Sequence, residues 1–148
     1  MLVTDQAFQV LRALLAEPEQ ETLDRARQLT DADMPAFEAL LEIAVSAAAC
    51  QRFAAGYTDG DVIRYVARIR AGTSFRDEDM ALDPEATEAT LRRVLGKPVP
   101  AVTDPWARIR ANVALLTVLA SDLDLDESAA EALLSQSRAI IAQASTRA

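Results

Sequence analysis

Helix-start and helix-stop signals divide this chain into segments, and they constrain its fold more than any other feature. An Asp-Pro pair occurs at Asp83–Pro84 and again at Asp104–Pro105. Aspartate can cap a helix there, and proline fits the first turn. Three of the four glycines, Gly56, Gly72 and Gly96, follow apolar helical patterns, where glycine favours the left-handed turn that ends a helix.

Between these signals, apolar residues recur at spacings of three and four, which predicts amphipathic helices. No segment alternates apolar and polar residues in the way a half-buried strand does. The predicted fold class is therefore all-α, a bundle of about six to seven helices with no β-sheet. The predicted helices begin near Thr4, Pro18, Thr30 or Asp33, Thr58, Asp83, Asp104 and Glu127.

Two of the predicted helices have distinctive packing patterns. The third contains the small-residue run AVSAAAC, which allows another helix to approach closely, so we expect it at the centre of the core. The sixth presents a 3-4-3-4 apolar seam typical of a bundle or coiled-coil contact. This seam, which faces either the protein's own core or a second chain, consists of Trp106, Ile109, Val113, Leu116 and Ala120.

A length of 148 residues predicts one helical domain, residues 1–148, large enough to bury about 70% of its unfolded surface. A proline-containing linker at 97–103 allows a subdivision into a helical core, 1–96, and a C-terminal helical hairpin, 104–148. Two helices alone bury too little apolar surface to be stable. The hairpin should therefore pack on the rest of the chain or on a second copy.

The composition indicates a soluble, acidic protein, with 23 acidic and 15 basic residues and a net charge of −8. An acidic protein repels nucleic acid unless a local basic patch overcomes that repulsion. The longest apolar run, IAVSAAAC, is far shorter than the ~20 residues needed to span a membrane. Because the start lacks a signal-peptide pattern and Cys50 is the only cysteine, we expect a cytoplasmic protein.

Several kinds of chemistry are excluded by residue content. The chain has no histidine, which rules out a Ser-His-Asp triad and an HExxH zinc site. It has neither a GxGxxG nor a P-loop pattern, and Cys50 in an alanine-rich helix is typical of a small core residue. We therefore expect no enzyme, no catalytic residues, no cofactor and no evident small-molecule substrate.

The segment DLDLDESAAEAL, residues 122–133, resembles the start of a calcium-binding loop because its first, third and fifth residues are aspartates. The match fails at Glu127, where the loop needs glycine, and at Leu133, where it needs a bidentate glutamate. Asp124 with Glu127 three residues later instead predicts a helix start. The two intervening leucines predict a loop held against the core.

Residues 51–76 form the only segment with net positive charge, five arginines against two aspartates, and they include a stretch with a helix-turn-helix appearance. The aspartates, Asp59 and Asp61, lie at the N-terminal end of the predicted helix, the end that usually reads bases. Asp61 can also pair with Arg64 on the helix surface. Nucleic-acid binding through Arg52–Arg76 is therefore an alternative and not the favoured function.

The pentapeptide ARIRA occurs at 67–71 and 107–111, and in each copy an isoleucine faces the core with an arginine on either flank. In the second copy, Arg108 and Arg110 lie in a first helical turn, against the helix dipole, and should need acids from Asp104 or a neighbouring helix. Tyr65, beside the first copy, is either a core-edge residue or part of an interface. The candidate partner-binding residues are Arg64, Tyr65, Arg68, Arg108 and Arg110.

The stretches RARQLTDADMPAFEALLEIA and GYTDGDVIRYVARIRAG, within residues 25–72, resemble small all-helical proteins of high-GC bacteria that have no assigned biochemical role. This resemblance implies a helical fold and no particular activity. The favoured function is a non-catalytic, cytosolic protein-interaction module that self-associates as a homodimer. The alternatives are a nucleic-acid-binding regulator and an acidic antidote or adaptor that masks a basic partner, since residues 1–50 carry nine acids against three arginines.

Overall fold

The computed structural model describes residues 5–14, 24–54, 56–72 and 83–146. In these ranges residues 24–27 are helical, and the other secondary structure consists of six helices with no strand, which confirms the all-α prediction. The start of the helix predicted from Pro18 lies outside the described residues. The helices are α1 (Asp5–Leu14), α2 (Met34–Arg52), α3 (Asp59–Gly72), α4 (Pro84–Val94), α5 (Pro105–Asp122) and α6 (Glu127–Thr146).

Side-chain caps begin α4 and α5 as the Asp-Pro pairs predict. Asp83 Oδ1 accepts hydrogen bonds from the backbone N–H groups of Glu85 at 2.9 Å and Ala86 at 3.3 Å. Asp104 Oδ1 accepts one from the N–H of Trp106 at 3.0 Å. Each aspartate thereby satisfies N–H groups that have no partner within the helix.

A reciprocal capping box begins α3. The N–H of Thr58 donates to Asp61 Oδ2 at 2.8 Å, and the N–H of Asp61 donates to Thr58 Oγ1 at 3.2 Å. This confirms the predicted pairing, with aspartate in place of the usual glutamate. At α2 the N-cap position is Asp33, but its side chain does not cap the helix; it accepts a hydrogen bond from the Thr30 hydroxyl at 2.8 Å instead.

Helix α6 begins at Glu127, as predicted, but its capping residue differs from the prediction. Asp126, not Asp124, caps the helix, because its Oδ1 accepts from the N–H of Ala129 at 2.7 Å. Asp124 occupies the turn before it with a left-handed φ of 55°. Leu123 and Leu125 pack against the core on either side of that turn, as predicted for a loop held by its leucines.

Helix α2 lies at the centre of the bundle, as its small residues predict, and contacts α1, α4, α5 and α6, most extensively α5. The seam of α5 faces this core and not the solvent, because Ile109, Val113 and Leu116 are each at most 1% exposed. Trp106 and Ala120, at the two ends of the seam, are half-buried. The 3-4-3-4 pattern is thus explained by packing within one chain.

The two helices that follow the predicted linker pack mainly on earlier helices. Helix α5 contacts α2 and α4, whereas α6 contacts α2 and α1. One cluster of buried apolar residues extends from Ala7 to Ile141 and includes residues from both sides of the linker. Among the described helices, none is long and apolar enough to cross a membrane.

Candidate functional site

Aromatic rings and arginines are in contact at the C-terminal ends of α2 and α5, beside the middle of α3. The ring of Phe53 contacts Tyr57 and Tyr65 edge-on, with centroids 5.8 and 5.0 Å away and both interplanar angles 79°. This edge-to-face arrangement is the favoured geometry for aromatic pairs. We call the group the arginine–aromatic cluster; its members are Arg52, Phe53, Tyr57, Tyr65, Arg68 and Asp122.

Two guanidinium groups in this cluster share one carboxylate and one ring. Arg52 and Arg68 lie 5.4 and 5.6 Å from the ring centroid of Tyr65, within cation–π range. Arg52 Nε is 3.5 Å from Asp122 Oδ2, and Arg68 Nη2 donates a hydrogen bond to Asp122 Oδ1. The Asp122 carboxylate therefore holds the C-terminal end of α2 and the middle of α3 against the end of α5.

Tyr65 is only 4% exposed, which favours the core-edge alternative over the interface alternative. Its ring packs against Phe53 inside the cluster. The hydroxyl forms no well-aligned hydrogen bond with a described residue but lies beside the Asp122 carboxylate. Burial, together with this negative charge, raises the pKa of Tyr65, so its hydroxyl stays protonated at neutral pH.

The sequence pattern did not identify Phe53, Tyr57 or Asp122 as members of this cluster, and Asp122 is the charged residue among them. Burial alone would raise the pKa of its carboxyl group, but interaction with Arg68, Tyr65 and Arg52 lowers it overall. An acid in the last turn of a helix opposes the helix dipole. That position is the one local sign that Asp122 needs positive partners from elsewhere in the chain.

Arg64 and Arg68 both project from α3 into solvent, with side chains 73% and 56% exposed. Arg64 pairs with Asp61 at 2.6 Å, which confirms the predicted pair of residues three apart. Hydrogen bonds from Thr58 and the pairing with Arg64 lower the pKa of Asp61. Both arginines are therefore held in place by acids of the same chain.

A second surface of α3 faces outward. Asp59, Ile63, Ala67 and Arg70 are all exposed, and their spacing of four, four and three places them along one side of the helix. We call these four residues the α3 stripe. Ile63 is 54% exposed and is one of two large hydrophobic residues that are exposed in the described part of the chain, the other being Ile140 on α6.

The acid at the start of the α3 stripe also connects α3 to α4. Arg92 on α4 donates to Asp59 at 2.8 Å and to Glu88 at 2.9 Å. The Asp59 side chain remains 76% exposed in this pair, whereas Arg92 is 20% exposed. The ion pair with Arg92 therefore holds Asp59 at the surface, where most of its side chain remains accessible to solvent.

Arg108 and Arg110 lie at the opposite end of α5. Arg108 Nη2 pairs with Glu38 of α2 at 3.2 Å, and its Nη1 donates to the carbonyl of Val102 at 2.7 Å. This confirms that a neighbouring helix compensates Arg108. Arg110 is half-buried and also interacts within the protein.

The two ion pairs between α2 and α5 establish that these helices run parallel. Glu38 and Arg108 meet near their starts, and Arg52 and Asp122 meet at their ends. Fourteen residues separate the two pairs on each helix, a distance of about 21 Å along the axis. The predicted residues therefore fall into two groups, with Arg64 and Arg68 far from Arg108 and Arg110.

The described residues contain no group of three or more acidic or cysteine side chains able to hold a metal ion, and the calcium-loop resemblance at 122–133 gains no support from them. Cys50, predicted to be buried, is instead exposed. No protein-family model, curated protein or solved structure matches this chain. The resemblance noted for residues 25–72 accordingly remains a prediction.

Proposed function

We propose that this protein is a non-catalytic interaction module that self-associates through the α3 stripe. The observation that carries the proposal is the exposure of Ile63 between Asp59 and Arg70 on one side of α3. Arginine and apolar side chains together are typical of protein interfaces, and a small central residue lets two helices approach closely. Ala67 provides that small residue next to Ile63.

The α3 stripe is complementary to itself in an antiparallel arrangement. If two α3 helices pack around a two-fold axis between Ile63 and Ala67, each Ile63 meets the Ala67 of the other copy. Each Asp59 then lies opposite Arg70, and the two helix dipoles oppose each other favourably. Arg70 forms no ion pair with a residue that the structure describes, so its charge is available for this contact.

The Trp106 seam does not support self-association, since its central residues are buried within the chain. The proposal therefore rests on α3 alone. A contact centred on one helix is small, so we expect weak association, with a dissociation constant in the micromolar range.

The two alternatives receive less support. For nucleic-acid binding, the predicted contacts are the five arginines of residues 52–76. Of these, Arg52, Arg64 and Arg68 are already paired with Asp61 or Asp122, and Arg76 lies outside the described residues. Binding that falls steeply with salt and is lost in a variant with both Arg64→Ala and Arg68→Ala would favour this alternative. An acidic adaptor would instead be recognised by capture of a basic protein from native lysate.

Replacing Ile63 with aspartate should abolish self-association, because the change places two carboxylates at the centre of the contact. Sedimentation velocity over a range of micromolar concentrations should detect a concentration-dependent dimer for the wild type and a monomer for Ile63→Asp. The matched control is Ile140→Asp, since Ile140 is 42% exposed on α6, a helix packed against α1 and α2. A wild type that stays monomeric, or equal loss in both variants, would reject the α3 contact.

A further inference from the structure

A cleft lies between α2, α4, α5 and the segment that leads into α5, away from the α3 stripe. Its volume is about 280 Å³, close to the lower limit of about 300 Å³ for small-molecule sites. Helix α2 provides Glu38 and Glu42, α4 provides Thr90 and Arg93, and α5 provides Arg108 and Asn112. The rest of the lining is mainly apolar, from Ala89, Val94, Pro100, Ala101 and Val102.

The amide of Asn112 is the unusual polar group of this cleft. The residue is 7% exposed, and its Nδ2 donates to the Arg108 carbonyl at 3.1 Å. Its Oδ1 is buried and accepts no hydrogen bond from the residues that the structure describes. Buried amide oxygens in native proteins nearly always accept a hydrogen bond. Because Asn112 lines the cleft, a molecule bound there can supply the missing donor.

A small cavity beside the cleft has room for one donor group. It measures about 20 Å³, enough for a water molecule or an ammonium group. Its polar lining consists of Asn112, Glu38, Glu42 and Arg108, and the guanidinium group of Arg108 is paired with Glu38. Amide and carboxylate oxygens are all acceptors, and a primary ammonium group has three N–H donors to offer them. Because Glu38 is already paired with Arg108, the acceptors left for a primary ammonium group at this cavity are Asn112 Oδ1 and the Glu42 carboxylate.

The cleft walls also carry charged side chains that can bind a second charged group of a small molecule. Arg108 is already paired with Glu38, but Glu42 and Arg93 form no ion pair with any described residue. Arg93, on the α4 wall, can bind a carboxylate, which guanidinium groups recognise in a bidentate manner. Both Glu42 and Arg93 are exposed, so a ligand can reach them from solvent.

We propose that this cleft binds a small zwitterionic primary amine of the size of an amino acid. Its ammonium group contacts Asn112 Oδ1 and the Glu42 carboxylate, its carboxylate contacts Arg93, and its apolar part lies against Val94 and Val102. This proposal is independent of self-association, because none of these residues belongs to the α3 stripe.

The test is an NMR titration of the ¹⁵N-labelled full chain with three probes of similar size: L-valine, n-butylamine and butyrate. We expect L-valine to shift the amide resonances of cleft residues saturably, with a dissociation constant of about 1 mM or lower. n-Butylamine should bind more weakly, and butyrate should not bind. Absence of saturable shifts with all three probes, which would indicate water alone at Asn112, overturns the proposal, as does butyrate binding as tightly as L-valine.

Exposed residues of the cleft provide variants that should fold normally. Glu42→Gln and Arg93→Ala should each weaken L-valine binding about tenfold, the effect of losing one charged hydrogen bond. Arg93→Ala should also remove the preference for L-valine over n-butylamine. Glu131→Gln and Arg138→Ala, at surface ion pairs between α1 and α6, are the matched controls and should bind L-valine normally. Equal weakening in variants and controls would contradict the assignment.

Discussion

Replacing Leu116 with alanine is expected to lower the free energy of unfolding by about 3 kcal/mol without changing the oligomeric state. Leu116 is 0% exposed on the inner side of α5, where the chain's central helices meet. The change removes buried apolar surface and leaves a cavity that the packed helices cannot fully close. Urea unfolding followed by circular dichroism, at several protein concentrations, measures the loss.

The same substitution distinguishes the two possible roles of the seam. If the seam were an interface between chains, Leu116→Ala would weaken association more than it weakens the fold. The matched control is Ile140→Ala, because Ile140 is 42% exposed and its truncation should cost well under about 1 kcal/mol. Equal costs for Leu116→Ala and Ile140→Ala would contradict the buried position of the seam.

Replacing Asp122 with asparagine is expected to cost about 2 kcal/mol at neutral pH, the second-largest effect on stability. The side chain of Asp122 is 12% exposed and pairs with Arg52 and Arg68. Asparagine keeps the shape but leaves both guanidinium groups without a negative partner. Because Arg52 and Arg68 are 41% and 56% exposed, water compensates part of the loss, which keeps the cost below that of a fully buried pair.

The stabilisation by Asp122 should depend on pH in a defined direction. Because the pKa of Asp122 is lowered in the folded protein, its ionised form favours folding above the unfolded-state pKa of about 3.9. That stabilisation is lost as the pH falls through the lower, folded-state value. The stability difference between wild type and Asp122→Asn should therefore be constant near neutral pH and shrink below about pH 4.

Asp5→Asn is the matched control for both measurements. Asp5 also pairs with an arginine, Arg138, but its side chain is 91% exposed, so solvent screens the interaction and little stability should be lost. A cost for Asp122→Asn as small as that for Asp5→Asn would show that Asp122 does not hold α2, α3 and α5 together. A stability difference that grows as the pH falls would also contradict this role.

Helix starts could be predicted from the sequence because their hydrogen bonds are local. The Thr58–Asp61 capping box and the caps at Asp83 and Asp104 each involve residues within three positions of each other. At α6 the helix start at Glu127 was predicted correctly, but the capping residue was wrong by two positions because aspartates alternate there. Which aspartate caps α6 depends on the left-handed turn at Asp124, and the amino-acid composition of this segment does not specify that turn.

Contacts between helices were harder to predict because they depend on residues distant in sequence. The heptad-like spacing of α5 is the same for an internal seam and for an interface, and only the packing of α2 against α5, with Leu116 buried, decides between them. Tyr65 could not be assigned because the ring it packs on, Phe53, belongs to the segment after α2. Asp122 was considered only as a calcium ligand, since its partners lie on other helices.

A charge exchange on the α3 stripe, followed by sedimentation velocity, tests the proposed self-association most directly. Arg70→Asp should weaken the dimer by about tenfold or more, because it sets a carboxylate opposite Asp59 of the second copy. Adding Asp59→Arg should restore association, since the two-fold arrangement again pairs opposite charges, even though the Arg92 contact with Asp59 is lost. Association unchanged by Arg70→Asp, or not recovered in the folded double variant, would contradict the account.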